Sequence, residues 1–464
     1  MNYEQLFARS GQRVVRAALI GAGVFGTSIL AQSRELRRLE LRVICDRDPD
    51  ASARACLEAG IPPSSLSVCS DAASARTALE QGRHALLADP ATLDALALDV
   101  VMECTGDPEA GARHAEAAIR HGRHVVMVTK ESDAVVGPYL HALAAERGVV
   151  YTPADGDQHG LLAGLHGWAR ALGFAVIAGG KARESDLVVD EADGTVRSGR
   201  RSVKVDASEL SSLARAAPGK LHDQLASRER ALRAFQRLRA ADVCELVIAA
   251  NHTGLAPERP ELRAPWLRLV EAPEAFSLAA NGGLLSRPGA IELFGCLRRA
   301  DEPSIMGGVF LVIECRSRFQ RELLRAKGML MNAAGTAALV WRPLHLLGAE
   351  APLSALCAGL AGLSTGSPEV RPRFDVAGRL LRPLSPGTLL GKEQVEDGSL
   401  VEPLMLPASP CTASSPLPLY MACGCTVNTT VPAGSLLEVR HVDPPRDSRL
   451  WEIRSARRPG PHPG

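Results

Sequence analysis

The chain has 464 residues, 46% of them hydrophobic, and 53 Lys and Arg against 52 Asp and Glu, for a net charge of +1. A chain this long supports two or three domains with separate cores, and its balanced charge, with no basic stripe, gives no sign of a nucleic-acid partner. No apolar run nears the roughly 20 residues that span a bilayer, and the start MNYEQLFARSGQRVVRAALIG lacks the order of a signal peptide. A cytoplasmic protein acting on small molecules, without nucleic acid or membrane as partner, is expected.

From residue 14 to 152, short apolar runs alternate with helical patterns. VVRAALIGAG, LRVICD, LDVVMECTG, RHVVMVT and GVVYTPA read as strands, with ARHAEAAIRHG and GPYLHALAAERG as helices between them. This alternation predicts an α/β domain over residues 1–154, a doubly wound parallel sheet. LIGAGVFG places Gly21, Gly23 and Gly26 in G-x-G-x-x-G spacing after the first strand. The first glycine permits a tight turn, the second lets backbone approach a pyrophosphate, and the third lets the helix pack closely. Val24 and Phe25 open that helix, whose N-terminus favours phosphate charge. Asp46 ends the next strand, where an acid hydrogen-bonds the ribose hydroxyls. That favours NAD, while Arg47 beside it could clamp the extra phosphate of NADP. Thr105, Gly106 and Asp107 follow the strand ending at Glu103 and should line the nicotinamide side, Asp107 also suiting a helix N-cap.

Residues 155–365 read as an α+β substrate and catalytic domain. GLLAGLHGWARALG and the charged stretch 211–254, interrupted near Pro218, look helical, and FAVIAGGKA and GGVFLVIECRS look like strands. APLSALCAGLAGL reads as an amphipathic helix packing back on the first domain. Residues 366–455 are rich in proline and turn glycine, with related turns in DVAGRLLRPLSPGTLLG and TTVPAGSLLEVRHVD. A small all-β domain without a long helix is expected there, followed by a disordered tail at 456–464. The eleven cysteines lie mostly in apolar segments and read as buried thiols. Cys423 and Cys425 lack the second pair of a metal site.

Only six of the 53 basic residues are lysine, so a lysine in a motif-like loop stands out. Lys130 in VTKESD follows a strand end, where an ammonium can bond a substrate oxygen and neutralise an alkoxide during hydride transfer. A solvent-facing lysine at a helix start is the simpler alternative, and Glu131 and Asp133 read as helix-start acids. Asp157 in ADGDQHG lies at the domain junction with Asp155 and His159. These groups could orient hydroxyls or hold a divalent cation, or simply form the turn. Lys181 in AGGKAR, with Arg183, could meet a phosphate or carboxylate at a strand end. Asn251 and Thr253 offer uncharged donors. His252, Lys327 and His345 are further polar residues among apolar ones, where a histidine is more often a satisfied core group. The metal requirement stays unknown at this level.

HVVMVTKESD and GVVYTPADGDQHG, with the glycine motif, resemble the homoserine dehydrogenase-like NAD(P)-dependent oxidoreductases that carry a carboxy-terminal SAF (β-clip) domain. Within these, the chain is similar to the 1-deoxy-D-xylulose 5-phosphate reductoisomerase-like group. TGDPEAGARHAEAAIRHGRHVVMV, ALGFAVIAGGK, ANHTGLAPE, NGGLLSRPGAIE and WRPLHLLGAEAPLS carry the likeness further, from residue 16 to about 450. It implies a Rossmann domain, a dimerising α+β catalytic domain and an SAF domain, assembled as a homodimer or homotetramer. The implied reaction moves hydride between NAD or NADP and the carbonyl or alcohol of a small polar metabolite, phosphorylated or not. Lys130 matches the lysine of the TANK run in homoserine dehydrogenases. The alternatives are a complete reductoisomerase of isoprenoid precursor synthesis and a dinucleotide-binding sensor without catalysis. Asp46 stands where the reductoisomerase-like group writes basic residues, and GDQHGL where it writes GDEPSS. The LSG-x-D-x-x-RK run is absent, which argues against homoserine as substrate.

Overall fold

The computed structural model describes residues 2–217, 219–235, 238–396 and 398–456. The tail expected to be disordered lies, but for Ala456, outside the described residues.

Seven strands build the first sheet: β1 (Val15–Ile20), β2 (Leu39–Cys45), β3 (Leu66–Val68), β4 (His84–Leu87), β5 (Val100–Glu103), β6 (His124–Met127) and β7 (Tyr151–Pro153). All pair in parallel, in the order β3-β4-β2-β1-β5-β6-β7. A parallel sheet covered on both faces needs continuous apolar strands, and β5 is buried at every residue. The strand order reverses between β1 and β5, which opens a crevice at their carboxyl ends. Three helices start at that edge: α1 (Val24–Ser33), α2 (Pro108–Arg120) and α3 (Lys130–Glu146). Asp107 caps α2 by accepting from the Ala110 amide at 2.8 Å, with Pro108 pre-set at the first turn.

After α4 (Gln158–Ala171) comes a mixed sheet of β8 (Val176–Ala182), β9 (Leu187–Asp190), β10 (Thr195–Ser198), β11 (Arg201–Lys204), β12 (Trp266–Leu267), β13 (Ala290–Arg299), β14 (Val309–Glu314) and β15 (Ala337–Arg342). Its order is β11-β10-β9-β13-β8-β14-β15, with β12 beside β13. Central β8 runs parallel to β13 and antiparallel to β14. The stretch 211–254, expected as one interrupted helix, is divided more finely. Leu221–Ala231 and α5 (Ala240–Thr253) are separate helices, and Ser211–Leu213 end an earlier one. Then α6 (Ala351–Ala361) crosses back onto the first sheet, where Ala351 and Ala355 share a core with Val15, Ala17 and Val126. A Cβ at Gly359 would lie 2.7 Å from the Val15 methyls, so glycine sets this close approach.

The carboxy-terminal region is built on an antiparallel hairpin, Phe374–Leu380 with Val401–Pro407. Its two related turns face each other: Leu384 and Val431 exchange backbone bonds of 2.9 and 3.0 Å, and Gly387 and Gly434 take φ of +85° and +82°. No long helix is expected here, and the helix that ends the described chain, α7 (Arg449–Ala456), has eight residues. On α7, the buried Arg454 guanidinium bonds Asp375 at 2.5 Å and the Tyr139 hydroxyl of α3 at 2.8 Å, which fixes the region to the first domain. No helix among the described residues is long and apolar enough to cross a membrane, and all eleven cysteines are free thiols.

Buried acids give the fold a pH signature. Burial, ahead of any neighbouring charge, pushes Asp133 up to about 6 and Asp155 and Glu292 up to about 7. In the unfolded chain such carboxyls ionise near pH 4. Between about pH 4 and pH 7 the folded state keeps protons that the unfolded state has released, so these groups lower stability as pH rises. Asp155→Asn removes one share of that loss. Its advantage over the native chain in urea unfolding is expected to grow from about pH 4 to about pH 7 and then level off. A stability difference that does not vary with pH would contradict the assignment.

Candidate functional site

Gly21 takes φ +98°, and a Cβ there would lie 2.6 Å from the Cys104 carbonyl oxygen, so the loops after β1 and β5 touch where the strand order reverses. A Cβ at Gly26 would lie 2.2 Å from the Gly21 carbonyl oxygen, while Gly23 faces open space. Gly23 begins α1 with no side-chain cap. The first-turn amides of Val24, Phe25 and Gly26 have no partner within the helix and lie at its positive end. A cradle of this kind fits a pyrophosphate. The Asp46 carboxylate accepts from the Ala22 amide at 2.9 Å and the Asp48 amide at 3.0 Å. It is therefore drawn to the glycine loop and not to Arg42, which pairs with Glu40 at 3.2 Å. Arg47 is exposed and forms no ion pair among the described residues. This half of the crevice fits a dinucleotide.

Across the crevice, the buried Glu103 carboxylate accepts from the Thr105 hydroxyl at 2.6 Å, and the Gly106 amide donates to the Thr129 hydroxyl at 2.9 Å. The turns after β5 and β6 are thereby tied together. Between this edge and the second sheet lies a cavity of about 310 Å³, lined among others by Phe25, Gly106, Lys130, Asp157, Arg239 and Glu245.

Lys130 projects from the first turn of α3 and Lys181 from β8; Asp242 and Glu245 lie one turn apart on α5. Lys130 and Lys181 each donate to one oxygen of Glu245. Lys181 also bonds Asp242 at 2.9 Å. Burial opposes both ammonium charges, but Glu245, with Asp157 for Lys130 and Asp242 for Lys181, holds them above the ordinary lysine range. Burial likewise opposes the charges of Asp157 and Glu245. His159 and Lys130 outweigh it for Asp157, and Lys130 and Lys181 for Glu245, so both carboxyls stay below their ordinary range. With these shifts the cluster is two ammonium groups among carboxylates at neutral pH, and the Lys130 ammonium is a donor there.

The structure brings Lys130, Lys181 and Asp157 into one cluster beside the dinucleotide residues. Lys181 stands behind Glu245 with its side chain 2% exposed, so it acts on the cavity through that carboxylate. Asp157 also caps α4, accepting from the Gln158 amide at 2.8 Å. Asp155 turns away, its amide bonded to the Ser354 hydroxyl of α6 at 2.8 Å. Asn251 accepts from the Arg373 and Phe374 amides at 2.8 and 3.0 Å, so it anchors the carboxy-terminal hairpin. His252 accepts from the Ser367 amide at 3.1 Å, and Thr253 bonds the Ala249 carbonyl within its own helix. Lys327 is exposed. His345 lines the cavity, although its apolar neighbours suggested a core group. Sequence reasoning missed Asp242, Glu245 and Arg239; the signal was two acids one turn apart inside the otherwise apolar run AADVCELVIAA. Among the described residues, no group of three His, Cys, Asp or Glu converges to hold a metal.

Two family models match the chain: the NAD-binding domain of homoserine dehydrogenase over residues 20–153, and the catalytic domain of oxidoreductase DRL over residues 156–351. No curated protein matches it. Solved structures similar to it include 1-deoxy-D-xylulose 5-phosphate reductoisomerase from Zymomonas mobilis with NADPH, at 20% identity and TM-score 0.30, covering 51% of this chain and 58% of that one. An oxidoreductase from Agrobacterium radiobacter with NAD+, L-tartaric acid and magnesium matches at 15% identity and TM-score 0.27, over 37% of this chain and 44% of that one. Biliverdin reductase from a Synechocystis species, with biliverdin and NADP+, matches at 20% identity and TM-score 0.24, over 38% and 47%. The chain thus spans about half the length of these structures. Neither family model reaches the carboxy-terminal β region, which is described by its geometry alone. In chain order, then, the chain is similar to the NAD-binding domain of homoserine dehydrogenase and, after it, to the catalytic domain of oxidoreductase DRL.

Proposed function

We propose that the protein interconverts the carbonyl and alcohol of a small anionic metabolite in the cavity between the two sheets, with NAD the preferred cofactor and Lys130 the catalytic proton donor. The observation that carries this reading is the placement of Lys130. It stands at the end of a parallel strand, beside the glycine turn of the dinucleotide half, as a half-buried ammonium lining that cavity.

The bound nicotinamide supplies or accepts the hydride. In the reducing direction, the substrate oxygen gains negative charge, and the Lys130 ammonium hydrogen-bonds it and gives up a proton to form the alcohol. Glu245 fixes the Lys130 side chain, and Lys181 keeps Glu245 anionic so that it holds Lys130 in place without taking its proton. Solvent returns the proton to Lys130 after release.

Arg239 supports an anionic substrate. It is exposed in the same cavity and forms no ion pair among the described residues. It also borders a neighbouring chamber of about 840 Å³ that includes Arg201 and Arg233. Arg201 lies over the Phe235 ring at 5.0 Å, which orders its guanidinium without neutralising it. A carboxylate or phosphate would find fork-shaped donors there.

The direct test follows reduced nicotinamide absorbance with NADH and NADPH against a panel of small carbonyl acids and sugar phosphates, 1-deoxy-D-xylulose 5-phosphate included. With the substrate so found, Lys130→Met is expected to lower kcat by about 10²- to 10⁴-fold while NADH affinity holds. An unchanged kcat would remove Lys130 from the chemistry and favour a binding protein without catalysis. NADH is expected to bind more tightly than NADPH, and Asp46→Ala to narrow that difference by about tenfold, roughly 1.4 kcal/mol. A preference that Asp46→Ala leaves unchanged would contradict the role given to this acid.

A further inference from the structure

The helix Lys392–Glu396 belongs to the carboxy-terminal region, beyond the residues matched by either family model. Lys392 reaches from it to two residues at the edge of the dinucleotide crevice. Its ammonium donates to the Gly106 carbonyl and to Glu131 at 2.8 Å, with Glu396 at 3.8 Å one turn on.

Both partners belong to the cofactor edge. Gly106 takes φ +67° in the turn after β5. Its amide is held by Thr129 and its carbonyl by Lys392, so the turn is fixed from both sides. Glu131 follows Lys130 on α3 and borders the same cavity, with its side chain 8% exposed. Without Lys392, this acid would turn an uncompensated negative charge toward the crevice that must admit an anionic dinucleotide.

The carboxy-terminal region is also anchored beside that edge by its last helix. On α2, Glu109 accepts from the Ser448 hydroxyl at 2.7 Å and from the Arg449 and Leu450 amides at 2.8 and 3.1 Å. Two residues before Lys392, Leu390 donates its amide to the Cys425 carbonyl at 2.9 Å and accepts from the Gly424 amide at 2.7 Å, so the element that delivers the ammonium is braced as well.

We propose that Lys392 is a positioning residue for the dinucleotide, which makes the carboxy-terminal region a third wall of the cofactor cleft. It acts by pinning the Gly106 turn and neutralising Glu131. This rests on the reading above that the crevice takes NAD(P).

The test is fluorescence titration of NADH into the full chain for the native protein, Lys392→Gln, Lys392→Arg and the Glu131→Gln, Lys392→Gln pair. Lys392→Gln is expected to weaken NADH binding by about tenfold, the loss of one charged contact. Lys392→Arg should restore most of it, and so should the pair, because Glu131→Gln removes the charge that needed neutralising. A merely structural lysine would not be rescued by the pair. Native binding with unchanged affinity in Lys392→Gln would overturn the inference alone, as would a loss that Glu131→Gln does not relieve. A native chain that binds neither NADH nor NADPH would overturn both this inference and the reading beneath it.

Discussion

One buried carboxylate shared by two lysines holds the site together. Glu245 lies between Lys130 and Lys181 with its side chain 4% exposed. A buried charge left alone costs several kcal/mol, so each member of such a cluster needs the others. The three residues come from α3 of the first sheet's layer, β8 of the second sheet and α5 above it. Their pairing therefore fixes where the catalytic domain sits against the dinucleotide domain. It also fixes the charge: the carboxylates hold Lys130 above the ordinary lysine range, as an ammonium at neutral pH.

The same edge is prepared on the dinucleotide side by sterics more than by charge. Gly21 and Gly26 each stand where a side chain would strike backbone within 2.6 Å, and Gly23 is left open. Close packing behind the loop and open space in front are what a pyrophosphate requires. Asp46, held by the Ala22 amide, adds one negative charge beside the same loop.

The dinucleotide half was legible in the sequence because its determinants are local: a glycine triplet, a strand before it and an acid at the next strand end. Lys130 was legible for the same reason. Its partner was not, since Glu245 lies 115 residues away, and Lys392 meets Gly106 across 286. Pattern reading has no access to such pairings. Lys181 was placed at a strand end, but only the fold shows it standing behind Glu245. Strand β13 was hidden because it is buried along most of its length and so lacks alternation, and because Glu292 and Gly295 interrupt its apolar run. Gly295 is there because a Cβ would strike the Trp266 ring at 2.0 Å. Three of the six lysines lie at this edge, Lys392 among them, which no local pattern in the sequence singles out.

The most direct measurement of the shared carboxylate is a double-mutant cycle between Lys130→Met and Glu245→Gln, read as unfolding free energy in urea at neutral pH. A buried pair that depends on both members should show a coupling of about 1–3 kcal/mol, the double variant losing less than the two single losses combined. Losses that simply add would mean that Lys130 and Glu245 do not hold each other, and the placement of the catalytic ammonium would need another cause.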